Sequence, residues 1–294
     1  MIETQQTVVP DVYPADSALP MRALPGEHGP TACIVAGRGA AVVCLHDFGS
    51  AAAEWIPLLH ALKQDYTVHA VDLLGHGRTS APRLDYSPAI MVAWLGELLT
   101  QLQLSQVTLI GSGFGAALAL VFAAQHPARV KDLVLVGPSI PGVQPSGRAM
   151  YWAFWLIHQP RLKGLFAALW PRLIERMERE SVLDQRLLSP LQAAVRMALR
   201  RREVCAAQGS MIRQWHHWLG CRPAYGQIGQ PLLLLWGGAD QLYPVRHARL
   251  LTTLVPHAEL AILDDCGHLP HLERPTEVAR LLQAFLRTRQ RRDR

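Results

Sequence analysis

Cysteine is sparse and unpatterned in this 294-residue chain: five residues, Cys33, Cys44, Cys205, Cys221 and Cys266, with no C-x-x-C pair among them. An odd, scattered set argues against a disulfide framework and for reduced thiols in a cytoplasmic setting. No clustered Cys/His ligand set exists either, so neither a metal nor a cofactor is implied. Long apolar runs are missing too. Stretches such as Ala149 to Ile157 (AMYWAFWLI) fall far short of the ~20 residues a membrane-spanning helix needs. The opening residues, MIETQQTVVPDVYP, have neither a basic start nor an apolar core, so no secretory leader is expected. Charged residues make up only 18% of the chain, with a net charge of +6. Much of that excess sits in Arg200, Arg201 and Arg202 and in the terminal RTRQRRDR, with no nucleic-acid-binding module beside it. These read as solvated helix faces and a frayed end, and nucleic acid is not an expected partner. No internal repeat or low-complexity tract appears.

What is present is apolar and periodic. Half of the residues are hydrophobic, and the length suits one α/β domain carrying an inserted subdomain. The organising stretch is Val107 to Leu120, VTLIGSGFGAALAL: a β-branched run, then Gly111, Gly113 and Gly115 at alternate positions, then a helical Ala/Leu pattern. A strand turning sharply into a helix needs small residues where backbones crowd. Around it the chain divides into an irregular, Pro-rich arm (1–28), an α/β core (29–138 and 229–290) and an insert without strand signals (139–228). In the core, Thr31 to Val35 and Ala41 to Leu45 flank a Gly37-Arg38-Gly39 turn and predict a hairpin. Tyr66 to Val71, Val130 to Val136, Pro231 to Trp236 and Glu259 to Leu263 predict further strands. Helices are expected over Ala51 to Leu62, over Ser87 to Leu104 with Pro88 at its first position, after Pro244, and over Pro275 to Leu286. Buried strands alternating with helices imply a mostly parallel sheet covered on both faces.

Several segments together resemble the α/β-hydrolase family. HDFGS (His46 to Ser50) resembles its H-G-x-G segment and DLLGHGRTS (Asp72 to Ser80) its D-x-x-G-x-G-x-S loop. GSGFG resembles its nucleophile elbow G-x-S-x-G, WGGADQLYP its acid loop, and DCGHLPHLERP its histidine loop. They occur in the family's order and cover nearly the whole chain outside the insert. The resemblance implies an α/β-hydrolase fold, with the insert as a helical cap. It places the acid on Asp240 and the histidine on His268, a pair in which the carboxylate fixes the imidazole's tautomer and leaves its other nitrogen as a base. It places the nucleophile position on Gly113, which has no side chain. The oxyanion donors fall on the backbone N–H groups of Phe48 and Phe114. Asp47 stands where the family usually has glycine and brings a negative charge near those donors. His271 is expected outside the site. Asp72, His76 and His46 are expected to brace their loops.

Without a side chain at Gly113 no acyl-enzyme forms there, and Ser112, one residue off on a tight turn, aims elsewhere. The chemistry these residues predict is general-base work by His268 on a small apolar or aromatic carbonyl- or ester-type substrate: water activation, a lyase step or a cofactor-free reaction. The alternative is a non-catalytic homologue that binds a ligand or a protein partner. GSGFGA is not a dinucleotide loop, because its spacing departs from G-x-G-x-x-G. The aromatic cluster opening the insert, with Trp152 and Trp155, is expected to line the substrate pocket. Its Trp, Leu and Arg content also suits weak contact with a membrane surface.

Overall fold

The computed structural model describes residue 19 and residues 21–292, apart from 144, 145, 147, 160, 162 and 224. Most of the expected N-terminal arm and the last two residues lie outside them. Eight strands form one sheet: β1 Met21–Leu24, β2 Thr31–Gly37, β3 Ala40–Leu45, β4 Tyr66–Val71, β5 Val107–Ser112, β6 Val130–Val136, β7 Leu232–Gly237 and β8 Glu259–Leu263. Their order across the sheet is β1-β2-β4-β3-β5-β6-β7-β8. From β4 to β8 all neighbours run parallel, while β1–β2 and β2–β4 are antiparallel.

Two sequence expectations fail at the edge of this sheet. The strands on either side of the Gly37-Arg38-Gly39 turn do not form a hairpin, because β4 lies between them and pairs with both. At Gly37 φ is +89°, and a Cβ would run into the main-chain oxygens of Tyr66 and Lys63. The turn thus crosses tightly over the start of β4 instead of folding β3 back beside β2. Met21–Leu24, expected to be irregular, is a strand, because it supplies the backbone partners that the outer edge of β2 otherwise lacks.

The strand side chains alternate between two cores. Val43 and Leu45 of β3, Leu133 and Leu135 of β6, and Leu232, Leu234 and Trp236 of β7 pack on one face. Val42, Cys44, Val134, Val136, Leu233 and Leu235 pack on the other. The second face is covered by α1 Ile56–Leu62 and α11 Pro275–Arg292, which touch each other. The basic stretch after Leu286 continues that helix to Arg292 and does not fray at Leu286. The first face is covered by α2 Pro88–Gln101, α3 Gly113–Gln125 and α9 Arg246–Leu254. Ser87 stands at the start of α2 but makes no side-chain cap.

Between β6 and β7 the described residues form helices and no strand: α4 Arg148–Ile157, α5 Lys163–Ser181, α6 Ser189–Leu199, α7 Arg202–Arg213 and α8 Trp215–Gly220. Their rings reach the carboxyl ends of the central strands. Trp170 and Trp215 lie edge-on to Phe48 at 6.0 and 6.2 Å between centroids, and Trp218 meets Phe114 at 4.7 Å. That end of a parallel sheet is where open α/β folds place their ligands.

Candidate active site

The strand β5 passes into α3 with no intervening loop, Ser112 ending the one and Gly113 starting the other. Gly113 has φ +45°, a left-handed conformation that disfavours any side chain. Its space is already taken, since a Cβ there would overlap the carboxylate of Asp47. Asp47 follows β3 and reaches across to the turn. Its Oδ1 accepts hydrogen bonds from the backbone N–H groups of Phe48 and Phe114, both at 2.7 Å. The two expected oxyanion donors therefore do converge on one point, and a side-chain oxygen of the protein sits there.

The other oxygen of Asp47 faces His268. Nε2 of the imidazole is 3.1 Å from Asp47 Oδ2, and Nδ1 is 2.8 Å from Asp240 Oδ2. Asp240 is held in turn by the N–H groups of Leu242 and Tyr243, which donate to its Oδ1 at 2.8 and 2.9 Å. The N–H of His268 donates to the Ser181 carbonyl at 2.7 Å, tying the histidine loop to the end of α5. Side-chain exposure is 1% for His268 and 0% for Asp240. Burial by itself lowers the His268 pKa. The charge and hydrogen bond of Asp240, followed by those of Asp47, outweigh it and hold the ring well above its ordinary value. Burial likewise raises Asp47, but the hydrogen bond and charge of His268 and the two backbone donors leave it below the usual carboxylate range. The contacts thus favour the proton on the imidazole, between the carboxylates of Asp47 and Asp240.

Behind this row lies a second one. His271 Nε2 is 2.9 Å from Glu54 Oε1, both side chains are fully buried, and the ring stacks on Trp55 with centroids 4.2 Å apart. Glu54 Oε1 also accepts from the Ser112 hydroxyl, and Oε2 accepts from the Asp47 N–H at 3.3 Å. Ser112 thus points away from His268. The loop-bracing residues sit as expected. Asp72 accepts from the N–H groups of Ala52 and Arg78, and His46 Nε2 accepts from the Leu73 N–H. His76 is buried, which pushes its pKa down to about 3.

A cavity of about 40 Å³ adjoins the Asp47 carboxylate, lined mainly by Phe48, Phe114, Ile174, Met177, Leu191 and Trp215, with Ser50, Tyr243 and Glu178 among its polar groups. Such a volume admits a few waters, so a larger molecule enters only if the insert helices shift. Trp152 and Trp155 do not line it. They are 50% and 45% exposed on the outer face of α4 and meet each other edge-on. Helical periodicity cannot tell which side of an amphipathic helix meets the core, and Ala153, Leu156 and Ile157 take the inner side here. The aromatic wall comes instead from Phe48, Phe114 and Trp215. Glu178 escaped the sequence reading. Its signal was there in the spacing, since Trp170, Ile174 and Glu178 recur at four-residue intervals along the buried stripe of α5.

Comparison with known proteins accords with this architecture. A family described as alpha/beta hydrolase fold matches residues 40–275. The pimeloyl-[acyl-carrier protein] methyl ester esterase of Aromatoleum aromaticum is 31% identical over 267 residues, 84% of this chain and 98% of that one. A 2-hydroxy-6-oxo-2,4-heptadienoate hydrolase of Pseudomonas putida is 28% identical, covering 85% of this chain and 90% of its own length. Among solved structures, the 2-hydroxy-6-oxo-6-phenylhexa-2,4-dienoate hydrolase of a Rhodococcus strain superposes with a TM-score of 0.74 at 24% identity, over 92% of this chain and 99% of that one. The matched span takes in β3 to α10 (Pro270–Glu273) and every side chain of the two histidine rows. The chain belongs to the α/β-hydrolase family.

Proposed function

We propose that this chain is a hydrolase for small apolar or aromatic substrates. His268, oriented by Asp240, does its acid–base work without a serine ester, and the carboxylate of Asp47 is the group that meets the substrate. The observation that carries this reading is the seat of Asp47, with Oδ1 on two backbone N–H groups and Oδ2 beside His268 Nε2. A carboxylate so placed has one oxygen, held only by the His268 imidazole, to attack carbon and the other already in an oxyanion site.

The electrostatics order the steps. In the resting row His268 is protonated and cannot take a proton from water. When Asp47 Oδ2 bonds to an electrophilic carbon, the carboxylate becomes a neutral ester and the second of the two charges holding the imidazole proton is gone. His268 then releases that proton and serves as base for a water attacking Asp47 Cγ. The negative charge of the tetrahedral adduct develops on Oδ1, at the N–H groups of Phe48 and Phe114. Collapse frees the product alcohol and restores Asp47. The ester hydrolysed is thus the protein's own, so the substrate need not place a carbonyl in the site that Asp47 fills. The relatives named as a methyl ester esterase and a dienoate hydrolase support hydrolysis as the reaction class, and the Phe48, Phe114 and Trp215 walls support an apolar or aromatic skeleton.

Single turnover in ¹⁸O-water with protein in excess tests this reading on aryl epoxides and benzyl halides. The label is expected in the Asp47 carboxyl, and H268Q is expected to accumulate a covalent adduct on Asp47, both read by peptide mass spectrometry. Absence of both overturns it. One observation favours a second reading, a ligand-binding homologue without turnover: Asp47 Oδ1 fills the oxyanion site and the adjoining cavity is small. In that case no electrophile modifies Asp47, and an apolar ligand binds parent and H268Q equally.

A further inference from the structure

Glu178, on α5, is 7% exposed, and neither of its carboxyl oxygens has a hydrogen-bond partner among the described residues. It lines the same cavity as Asp47 but from a different part of the chain, the insert, whereas Asp47 comes from the loop after β3. Ser50, whose buried hydroxyl is also unpartnered, shares that lining. Buried glutamates are ordinarily paired, and an ionised carboxylate without donors is costly to keep. Burial, then the charge of Glu175 on its own helix, push the Glu178 pKa up to about 8, with Glu54 of the first short helix adding to this. Arg196 on α6 and Arg179 pull the other way and do not win. The group therefore carries its proton at neutral pH, as a carboxylic acid facing a reaction chamber.

We propose that Glu178 is the proton donor of this site, and that the substrate is an electrophile whose leaving group is a basic oxygen: an epoxide on an apolar or aromatic skeleton. This rests on the reading of Asp47 as the attacking carboxylate. A lone pair on Asp47 Oδ2 forms the new C–O bond. The ring C–O bond breaks with its electron pair going to the ring oxygen, and that oxygen takes the Glu178 proton. An alkoxide is too basic to leave unprotonated at a useful rate, whereas a halide needs no proton. The His268 proton is poorly placed for the task. It lies at Nε2 against Oδ2, the attacking atom, while in a displacement at carbon the breaking bond lies on the opposite side from the attacking one. After alkylation His268 releases its proton to water, and the Glu178 carboxylate takes a proton up from water. His268 is then neutral and takes a proton from the water that adds to Cγ. That proton passes to the departing alkoxide, and the proton left on Asp47 returns His268 to its resting charge. The sum is epoxide plus water giving a vicinal diol.

The test uses the full chain and two electrophiles with the same aryl group, styrene oxide and benzyl bromide, with Asp47 alkylation followed by peptide mass spectrometry in parent and E178Q. E178Q is expected to lower the ratio of epoxide to halide alkylation by ~10²-fold or more. In the unmutated protein the epoxide rate is expected to fall as pH rises through about 8, where Glu178 loses its proton. E178Q lacks that limb. An unchanged ratio, or a pH limb that survives in E178Q, overturns Glu178 as the donor and leaves the Asp47 reading standing. No adduct with either electrophile in the parent overturns both.

Discussion

His268 and His271 stand three residues apart in one segment, both buried and both against a carboxylate, yet their surroundings differ in the one respect that matters for chemistry. The carboxylate partner of His271 has no oxygen to spare. Glu54 takes the Ser112 hydroxyl, the Asp47 N–H and His271 itself, and the imidazole is covered by Trp55. His268 is shared between Asp240, equally enclosed, and Asp47, whose side chain is 19% exposed at the cavity, whereas that of Glu54, also in the cavity's lining, is 0% exposed. Pairing an imidazole with a carboxylate fixes its orientation in either row. Only an open edge lets the pair act on something else. The inner row reads as scaffold, holding the loop after β3 and the turn at Gly113 in register, while the outer row is where charge can be made and removed.

Substituting the carboxylates one row at a time gives the strongest test of that division. D47N is expected to reduce alkylation by at least ~10⁴-fold, because an amide is a poor nucleophile. It also removes one of the two charges holding the His268 proton, so the ring pKa measured by NMR should move down. E54Q is expected to leave the His268 titration where it was. A large downward shift in E54Q with none in D47N would exchange the roles of the two rows.

Stability should respond in the opposite sense. E54A leaves the His271 ring and the Ser112 hydroxyl buried without their carboxylate, a loss of about 1–3 kcal/mol for each unsatisfied buried polar group, read from urea unfolding. The outer row, with its edge on the cavity, can recover part of its loss through water.

A third contrast comes from pH. The folded pKa of Glu178 is about 8, above its ordinary 4.5, so the folded state binds that proton more tightly than the unfolded chain. The associated stability is fully present below pH 4.5 and is lost progressively as pH rises to about 8. His268, also raised, contributes below its ordinary pKa and loses that as pH climbs through its folded value, whereas Asp47, lowered, contributes only above its ordinary value. Subtracting E178Q from the parent isolates the first term. The parent should lose up to on the order of 4 kcal/mol more than E178Q between pH 4.5 and 8. A flat difference would mean that Glu178 is solvated in the folded protein.

The turn itself offers a smaller effect of diagnostic value. G113A puts a Cβ at φ +45° against the Asp47 carboxylate and should cost about 1–3 kcal/mol. G113S should be similarly destabilised and unlabelled by a fluorophosphonate, while the double substitution D47G/G113S clears the overlap and should label. Labelling of G113S alone would show that Asp47 swings away easily, weakening the case that it is fixed in place.

Much of this arrangement was legible before any coordinates. The strand–turn–helix at Val107 to Leu120 and the late strands follow from periodicity and loop composition, because those signals are local, whereas Asp240 and His268 come from the resemblance of their loops to those of the α/β-hydrolase family. The failures are all non-local. Whether β3 folds back on β2 or lets β4 pass between them depends on a crossing at Gly37 that no window of sequence encodes. Asp47 could be seen as an unusual charge near the oxyanion donors, but that its oxygen would occupy their focus depends on Gly113, 66 positions away in the chain, having no Cβ. Glu178 lay on a buried stripe that periodicity could have flagged, although only the packing of α5 over the sheet brings it to the cavity that Asp47 borders.

The same lesson applies in reverse to Trp152 and Trp155. An aromatic cluster at the start of the insert resembles a pocket wall in sequence, and in the fold it is surface. Replacing both by serine removes ring area that water already reaches, so unfolding free energy should change by no more than about 0.5 kcal/mol. Asp47 alkylation should stay within about twofold of the parent. W215A, by contrast, strips a ring that meets both Phe48 and Phe114 and should cost about 3–5 kcal/mol in stability. If the exposed pair instead proved the more costly to lose, then in the folded protein α4 must turn that face inward, and the aromatic wall would have to be reassigned from Trp215 to Trp152 and Trp155.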